Sequence, residues 1–152
     1  MDLFSRFSKY QILAVDRQPE HVETIRTTLA QGQIVSEVVA IANPKDVLSY
    51  LNRQGQYAQA VRPHLILFDL NCFSPNDMDS GLALLETIKG NPELRQIPII
   101  ILTVMADEAL IHHSYMLQSN CYILKPSNVD QLAEVVKRIE NFWLRIVTLP
   151  VQ

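Results

Sequence analysis

The chain has 152 residues, of which 48% are hydrophobic and 19% charged, and its formal net charge is −3. These values are typical of one compact domain spanning residues 1–152, and the negative charge argues against nucleic acid as a partner. No apolar run approaches the roughly 18 residues of a membrane span, and the N-terminus lacks the apolar stretch of a signal peptide. The two cysteines have no metal-ligand spacing. We therefore expect a cytoplasmic protein without membrane contact.

Five short apolar runs alternate along the chain with segments of helical periodicity. Such runs suit strands that are buried on both faces, and the intervening amphipathic segments suit helices that cover them. The alternation predicts an α/β fold, a doubly wound five-stranded parallel sheet with helices on both faces. The runs lie at residues 12–15, 34–41, 65–70, 97–102 and 121–124.

Local signals mark two of the helices. Asn43 followed by Pro44 is an N-cap and first-turn pair, and Gly55 is a plausible stop, which predicts a helix near residues 44–54. Ser127 with Asp130 resembles a capping box that opens the last helix. A broad apolar stripe follows along that helix, so we expect it to pack on the sheet.

Polar residues follow four of the predicted strands. In a doubly wound sheet the functional crevice lies at the carboxyl ends of the strands, near the point where the strand order reverses. A single aspartate at a strand end is most often a turn or cap residue, so only the combination is informative. The combination is Asp16 and Arg17, Asp69 and Asn71, Thr103, and Lys125.

This set matches the needs of a carboxylate that accepts a phosphoryl group, which requires a cation and donors for the phosphoryl oxygens. Asp69 would be the nucleophile. Asp16, Asp69 and the backbone carbonyl of Asn71 could together hold Mg²⁺, a hard cation that prefers oxygen ligands. Thr103 and Lys125 would contact the phosphoryl oxygens.

Four segments resemble the receiver domains of response regulators: ILAVD at 12–16, LILFDLN at 65–71, IIILT at 99–103 and YILKP at 122–126. The resemblance implies that Asp69 is the phospho-acceptor, Thr103 the switch hydroxyl, Lys125 the invariant-type lysine and Tyr122 an aromatic switch. It also implies a signalling protein, not an enzyme, that receives a phosphoryl group from a histidine kinase and changes its contact surface.

Further segments resemble the single-domain regulators that partner cyanobacterial phytochrome histidine kinases. This resemblance implies a kinase of phytochrome type, no output domain, and a homodimer formed through the last helix and the C-terminal segment. The alternative for the apolar ending is that it folds back on its own domain. The segments are LNRQGQY at 51–57, RPHLILFDLN at 62–71, KGNPELRQIPIIILT at 89–103 and FWLRIVTLP at 142–150.

Arg17 departs from the family, in which a second acidic residue that touches the metal usually follows the first. One of three negative charges becomes positive, so we expect Mg²⁺ binding to be weakened or absent. Three orientations of Arg17 are open: into the pocket, where it would repel a cation; out to solvent; or paired with Asp69 or Asp16 as a substitute for the cation.

The loop after the third strand also departs from the family. Cys72 and Phe73 stand where an apolar residue and proline are common, and residues 74–80 suit an exposed turn. Val104, next to Thr103, replaces the small residue of many receivers and can crowd the entry of a phosphoryl group.

Two other functions stay open. A pseudo-receiver would keep the fold and bind a partner without phosphorylation, and Arg17 and the altered loop favour it. An aspartate-nucleophile phosphatase of the haloacid dehalogenase type also carries its nucleophile at a strand end. That class has a second acid two residues later, where this chain has Asn71.

Overall fold

The computed structural model describes residues 7–71 and 78–150. The described residues form one five-stranded parallel sheet with the order β2-β1-β3-β4-β5, which confirms the predicted α/β doubly wound fold. No helix in these ranges is long and apolar enough to cross a membrane. The strands are β1 (Tyr10–Val15), β2 (Ser36–Ile41), β3 (Leu65–Phe68), β4 (Ile99–Thr103) and β5 (Cys121–Leu124).

Helices connect successive strands. The last helix, α5, continues directly into a π-helix at Glu140–Ile146, and a short 3₁₀ helix at Gly55–Tyr57 precedes β3. The α-helices are α1 (Pro19–Ala30), α2 (Pro44–Leu51), α3 (Met78–Gly90), α4 (Glu108–Met116) and α5 (Val129–Ile139).

The sheet separates two apolar cores. Alternate side chains of a strand point to opposite faces, so Leu13 and Ile66 enter one core while Ile12 and Leu65 enter the other. Helices α2, α3 and α4 cover the first core, and α1 and α5 cover the second. Both faces of β1, β3 and β4 are thus buried, which explains their nearly uninterrupted apolar sequences.

Helix α2 ends earlier than the sequence predicts, at Leu51 instead of near residue 54. Arg53 adopts the left-handed conformation with φ 56°, and the Gln54 N–H donates to the Ser49 carbonyl at 2.9 Å. This is the Schellman arrangement that ends many helices, usually with glycine at the left-handed position. The predicted stop at Gly55 is therefore wrong, since Gly55 lies beyond the turn and opens the 3₁₀ helix.

The N-caps of α2 and α5 are both asparagines. Asn43 caps α2 as predicted, since its side chain accepts from backbone N–H groups of the first turn. The predicted capping box of Ser127 with Asp130 is wrong by one residue, because Asn128 caps α5 and accepts from the Asp130 N–H at 2.8 Å. An N-cap side chain must reach the N–H two or three residues later, and Asn128 does so here.

Helix α3 packs closely on the end of β3. A β-carbon on Gly81 would lie 2.6 Å from the carbonyl oxygen of Leu70, so only glycine permits this approach. The helix begins at Met78, so the predicted turn at 74–80 is wrong for its last three residues. Residues 72–77, including Cys72 and Phe73, lie outside the described residues.

Candidate functional site

The candidate site lies at the carboxyl ends of β1 and β3, where the strand order reverses and a crevice opens. Asp16 directly follows β1, Asp69 directly follows β3, Thr103 ends β4, and Lys125 directly follows β5. All four are buried. The parallel sheet therefore brings together the polar residues that the sequence placed at separate strand ends.

Lys125 bridges the two carboxylates. Its Nζ donates to Oδ2 of Asp16 at 2.5 Å and to Oδ2 of Asp69 at 3.0 Å, and its side chain is 1% exposed. Removing one partner of a buried ion pair leaves an uncompensated charge, which is strongly unfavourable. The ammonium of Lys125 thus allows two buried carboxylates to face each other.

The other oxygen of each carboxylate accepts a local backbone hydrogen bond. The Gln18 N–H donates to Oδ1 of Asp16 at 2.8 Å, and the Asn71 N–H donates to Oδ1 of Asp69 at 2.9 Å. An aspartate that bonds the backbone two residues later forms an Asx-turn, a common arrangement after a strand. These bonds, with those of Lys125, hold both carboxylates in fixed orientations.

Thr103 carries a buried hydroxyl without a hydrogen-bond partner among the described residues. The residue is 0% exposed, and its carbonyl accepts the Lys125 N–H at 2.7 Å. Buried polar atoms nearly always have a partner, and this orphan hydroxyl has none among the described residues, so it is available to an acceptor that enters the site. A phosphoryl oxygen on Asp69 is an acceptor of this kind.

Arg17 is exposed, and within the described ranges it makes no hydrogen bond or ion pair. Of the three orientations that the sequence left open, this is the one directed to solvent. The hypothesis that Arg17 pairs with Asp16 or Asp69 is wrong for this structure, because Lys125 takes both positions. A lysine buried between the carboxylates satisfies them at short range, whereas the long arginine side chain keeps its charge hydrated.

Tyr122 connects β5 to the loop between β4 and α4. Its hydroxyl donates to the Met105 carbonyl at 2.7 Å, and its ring is half-buried against the core covered by α2, α3 and α4. Burial, with the nearby charges of Asp107 and Asp69, raises the pKa of Tyr122 to about 12. The phenol therefore stays protonated and is a hydrogen-bond donor at neutral pH.

The residues present do not fit a tightly bound divalent cation. Asp16 and Asp69 have the right chemistry, but Lys125 Nζ already neutralises the oxygens that face each other. Among the described residues there is no group of three or more His, Cys, Asp and Glu side chains that could hold a metal. The Asn71 N–H donates to Asp69, and this bond does not involve the Asn71 carbonyl, whose predicted role as a metal ligand stays a prediction.

Sequence reasoning missed the backbone partners of the site, the N–H of Gln18 and the carbonyl of Met105. Every residue except proline carries both groups, so no residue type marks them. Val104, which the sequence suggested could crowd the entry, is 48% exposed beside Thr103.

Together, this fold and its buried aspartate–lysine pair beside a strand-end threonine define the receiver class. A profile of the response regulator receiver domain matches residues 12–137. The chain therefore belongs to the response regulator receiver family and is a component of two-component signalling.

Individual response regulators are similar to this chain over nearly its whole length. Response regulator Rcp1 of Synechocystis sp. is 35% identical over 139 residues, which cover 91% of this chain and 92% of Rcp1. The crystal structure of the Mn²⁺-bound form of Rcp1 matches with a TM-score of 0.85, covering 93% of this chain and 99% of that one. The phosphorylated cyanobacterial phytochrome response regulator RcpA is 39% identical, with a TM-score of 0.86 and coverage of 94% and 99%.

Proposed function

We propose that Asp69 accepts a phosphoryl group from a histidine kinase and that the chain acts as a signalling switch, not as an enzyme. The observation that carries this proposal is the buried carboxylate of Asp69, 3.0 Å from Lys125 Nζ, at the same sheet edge as the orphan hydroxyl of Thr103. A nucleophile, a cation and a spare donor are the groups that phosphoryl transfer to a carboxylate requires.

In the proposed reaction a carboxylate oxygen of Asp69 attacks the phosphorus of a phosphohistidine. The new O–P bond forms as the N–P bond breaks, and the histidine nitrogen leaves with the electron pair. Lys125 moves its hydrogen bond from the Asp69 carboxylate to a phosphoryl oxygen, and Thr103 donates to another. The charge of the product is thereby held by donors that are already buried at the site.

The conformational change would be transmitted from Thr103 to the surface through the loop that follows β4. A hydroxyl that turns toward the phosphoryl group pulls on this loop, and Tyr122 is bound to the same loop through the Met105 carbonyl. Phosphorylation then favours one of two arrangements of the face formed by α4 and β5.

Labelling with acetyl phosphate tests the acceptor. Intact-mass spectrometry should show one added phosphoryl group on the wild type and none on Asp69→Asn. The matched control is Asp46→Asn, which removes a carboxylate from α2 and should be labelled like the wild type. Efficient labelling of a folded Asp69→Asn protein at that position would refute the assignment.

The kinase partner is proposed from the relatives. RcpA is a phytochrome response regulator, and the chain is 39% identical to it over nearly its whole length. We accordingly propose a phytochrome-type histidine kinase as the phosphodonor, acting in the cytoplasm where its ATP is available. Phosphotransfer from such a kinase should be faster than from a kinase of unrelated type; equal rates would contradict the pairing.

A homodimer through α5 and the C-terminal segment is part of the proposal. The apolar residues of this segment form two pairs that differ in exposure. Leu144 and Leu149 are each 1% exposed, whereas Phe142 is 51% and Ile146 70% exposed. The first pair folds back on the domain, as the alternative predicted. Of the second pair, Phe142 lines an apolar groove of about 620 Å³ together with residues such as Cys121 and Trp143, which suits an interface.

Sedimentation velocity over a range of concentrations tests the dimer. Ile146→Ser should shift the equilibrium toward monomer, because it removes exposed apolar surface and leaves the buried Leu144 in place. Val35→Ser is the matched control, since Val35 is 63% exposed and lies just before β2, which is the edge strand opposite β5. A wild type that is monomeric at all concentrations refutes the dimer.

A pseudo-receiver is the second candidate, and Arg17 is the observation that favours it. A positive charge next to Asp16 opposes the cation on which a receiver's phosphorylation usually depends. This candidate predicts that the wild type takes up no phosphoryl group and that Arg17→Asp restores labelling in the presence of Mg²⁺.

A further inference from the structure

Arg17 places a second cationic side chain next to a pocket that holds two carboxylates and one buried ammonium. Asp16 and Asp69 are the carboxylates, Lys125 is buried between them, and Arg17 follows Asp16 directly in the chain. The formal charges of these four groups cancel. With Arg17 turned toward Asp69, the two cationic side chains would balance the two carboxylates, so a dianionic phosphoryl group would not need a divalent cation to do so.

We propose that this receiver accepts and holds a phosphoryl group without a divalent cation, and that Arg17 binds the phosphoryl oxygens in place of the metal. The inference rests on the proposed function of Asp69 as acceptor. It assigns to Arg17 the role of a substrate-binding residue. The pocket does not fit a tightly bound divalent cation because the reaction does not use one.

The exposure of Arg17 suits this role. Its side chain makes no hydrogen bond or ion pair in the part of the chain that the structure describes, so no contact has to break before it turns toward a phosphoryl group. A guanidinium presents two parallel N–H donors to a phosphate, and its long side chain can reach across the residue next to it. It remains hydrated until the phosphodonor arrives.

The donors would surround the phosphoryl group from three directions. Lys125 approaches from β5 and Thr103 from β4, and both are buried. Arg17 approaches from the solvent side after β1. These donors match the oxygens of the group, and the orphan Thr103 hydroxyl gains its missing acceptor.

With acetyl phosphate as donor the reaction balances without a co-reactant. A carboxylate oxygen of Asp69 bonds to phosphorus, the bond between phosphorus and the acetate oxygen breaks, and acetate leaves with the electron pair. No proton has to move. The products are acetate and an aspartyl phosphate whose charge faces Arg17 and Lys125.

The test compares labelling by acetyl phosphate in EDTA with labelling in Mg²⁺, for the wild type, Arg17→Gln and Arg17→Asp. Intact mass measures the phosphoryl group, and titration calorimetry measures Mg²⁺ binding independently. Arg95→Gln is the matched control, because Arg95 is an exposed arginine outside the site. Arg17 is exposed, so its substitution should leave the thermal unfolding of the protein unchanged.

We expect the wild type and Arg95→Gln to be labelled equally in EDTA and in Mg²⁺. Arg17→Gln should be labelled more slowly in EDTA by roughly tenfold to a hundredfold, the loss of a hydrogen bond between charged groups. Arg17→Asp should require Mg²⁺ and bind it measurably by calorimetry.

Two results overturn the inference and leave the proposed function standing: labelling of the wild type only in Mg²⁺, or equal labelling of the wild type and Arg17→Gln in EDTA. Labelling of Arg17→Asp alone overturns it in favour of the pseudo-receiver. If no variant is labelled under any condition, the acceptor role of Asp69 fails, and the inference fails with it.

Discussion

The carboxylate of Glu140 occupies the space in which a β-carbon on Gly32 would lie. Glu140 is 7% exposed and begins the π-helix, and its carboxylate accepts a hydrogen bond from the Gln33 backbone. Burial raises the pKa of Glu140 above 4.5, against the opposing effects of this hydrogen bond and of Arg145. The contact joins the turn after α1 to the start of the C-terminal segment.

Gly32→Ala should therefore destabilise the protein. The added methyl group displaces the Glu140 carboxylate from its hydrogen bond, which we expect to lower the free energy of unfolding by about 1–3 kcal/mol. Urea unfolding measures the change. Gly90→Ala is the matched control, because a β-carbon there meets nothing within 4 Å. Equal destabilisation by both variants would show that the Glu140 contact has no special role.

Thr103→Val should stabilise the unphosphorylated protein and impair its phosphorylated form. The valine keeps the shape of the side chain and removes a buried hydroxyl without a described partner, so the free energy of unfolding should rise by about 1 kcal/mol. The phosphoryl group on Asp69 should then be lost faster. Urea unfolding and the decay of the phosphorylated mass measure the two effects. A less stable variant would indicate that the hydroxyl already has an acceptor.

His64 should make stability depend on pH. Its Nδ1 accepts the Gln11 N–H at 2.9 Å, its ring stacks on Phe7, and burial lowers its pKa below 6.5. As the pH falls, the unfolded chain binds a proton at His64 before the folded chain does. The contribution of neutral His64 to the free energy of unfolding is therefore fully present above pH 6.5 and is lost as the pH falls toward the folded pKa.

Unfolding between pH 7.5 and roughly pH 5 measures this contribution, across the interval in which histidine normally titrates. His64→Asn keeps a side-chain acceptor for Gln11 and should flatten the dependence. The matched control is His112→Asn, an exposed position on α4. A control variant with as flat a profile as His64→Asn would contradict the assignment.

Arg53→Gly should stabilise the end of α2. Arg53 has φ 56°, a conformation that carries a steric penalty for residues with a β-carbon and none for glycine. We expect a gain of about 0.5–1 kcal/mol in the free energy of unfolding, reduced by the greater freedom of glycine in the unfolded chain. Arg53→Ala retains the penalty and serves as the control. A gain in both variants would point to the charge instead of the backbone.

The fold was predictable because its central strands are buried on both faces. An apolar run such as 65–70 can be read without knowing its neighbours, and the parallel connection then places Asp16, Asp69, Thr103 and Lys125 at one sheet edge. The helix ends were less predictable. Arg53 and Asn128 take roles that Gly55 and Ser127 could also have filled, and the choice depends on how each helix packs.

The sequence by itself determined the sheet, the edge at which the functional groups meet, and the presence of a cation where the family has an acid. The sheet and its edge follow from the hydrophobic pattern of each segment and from the alternation of strands with helices, and the cation is Arg17 itself. Only the tertiary structure decided that Lys125, and not Arg17, pairs with both carboxylates, and that the Thr103 hydroxyl is buried without a described partner. Such choices depend on which side chains reach one point from distant parts of the chain, and on how much water that point excludes.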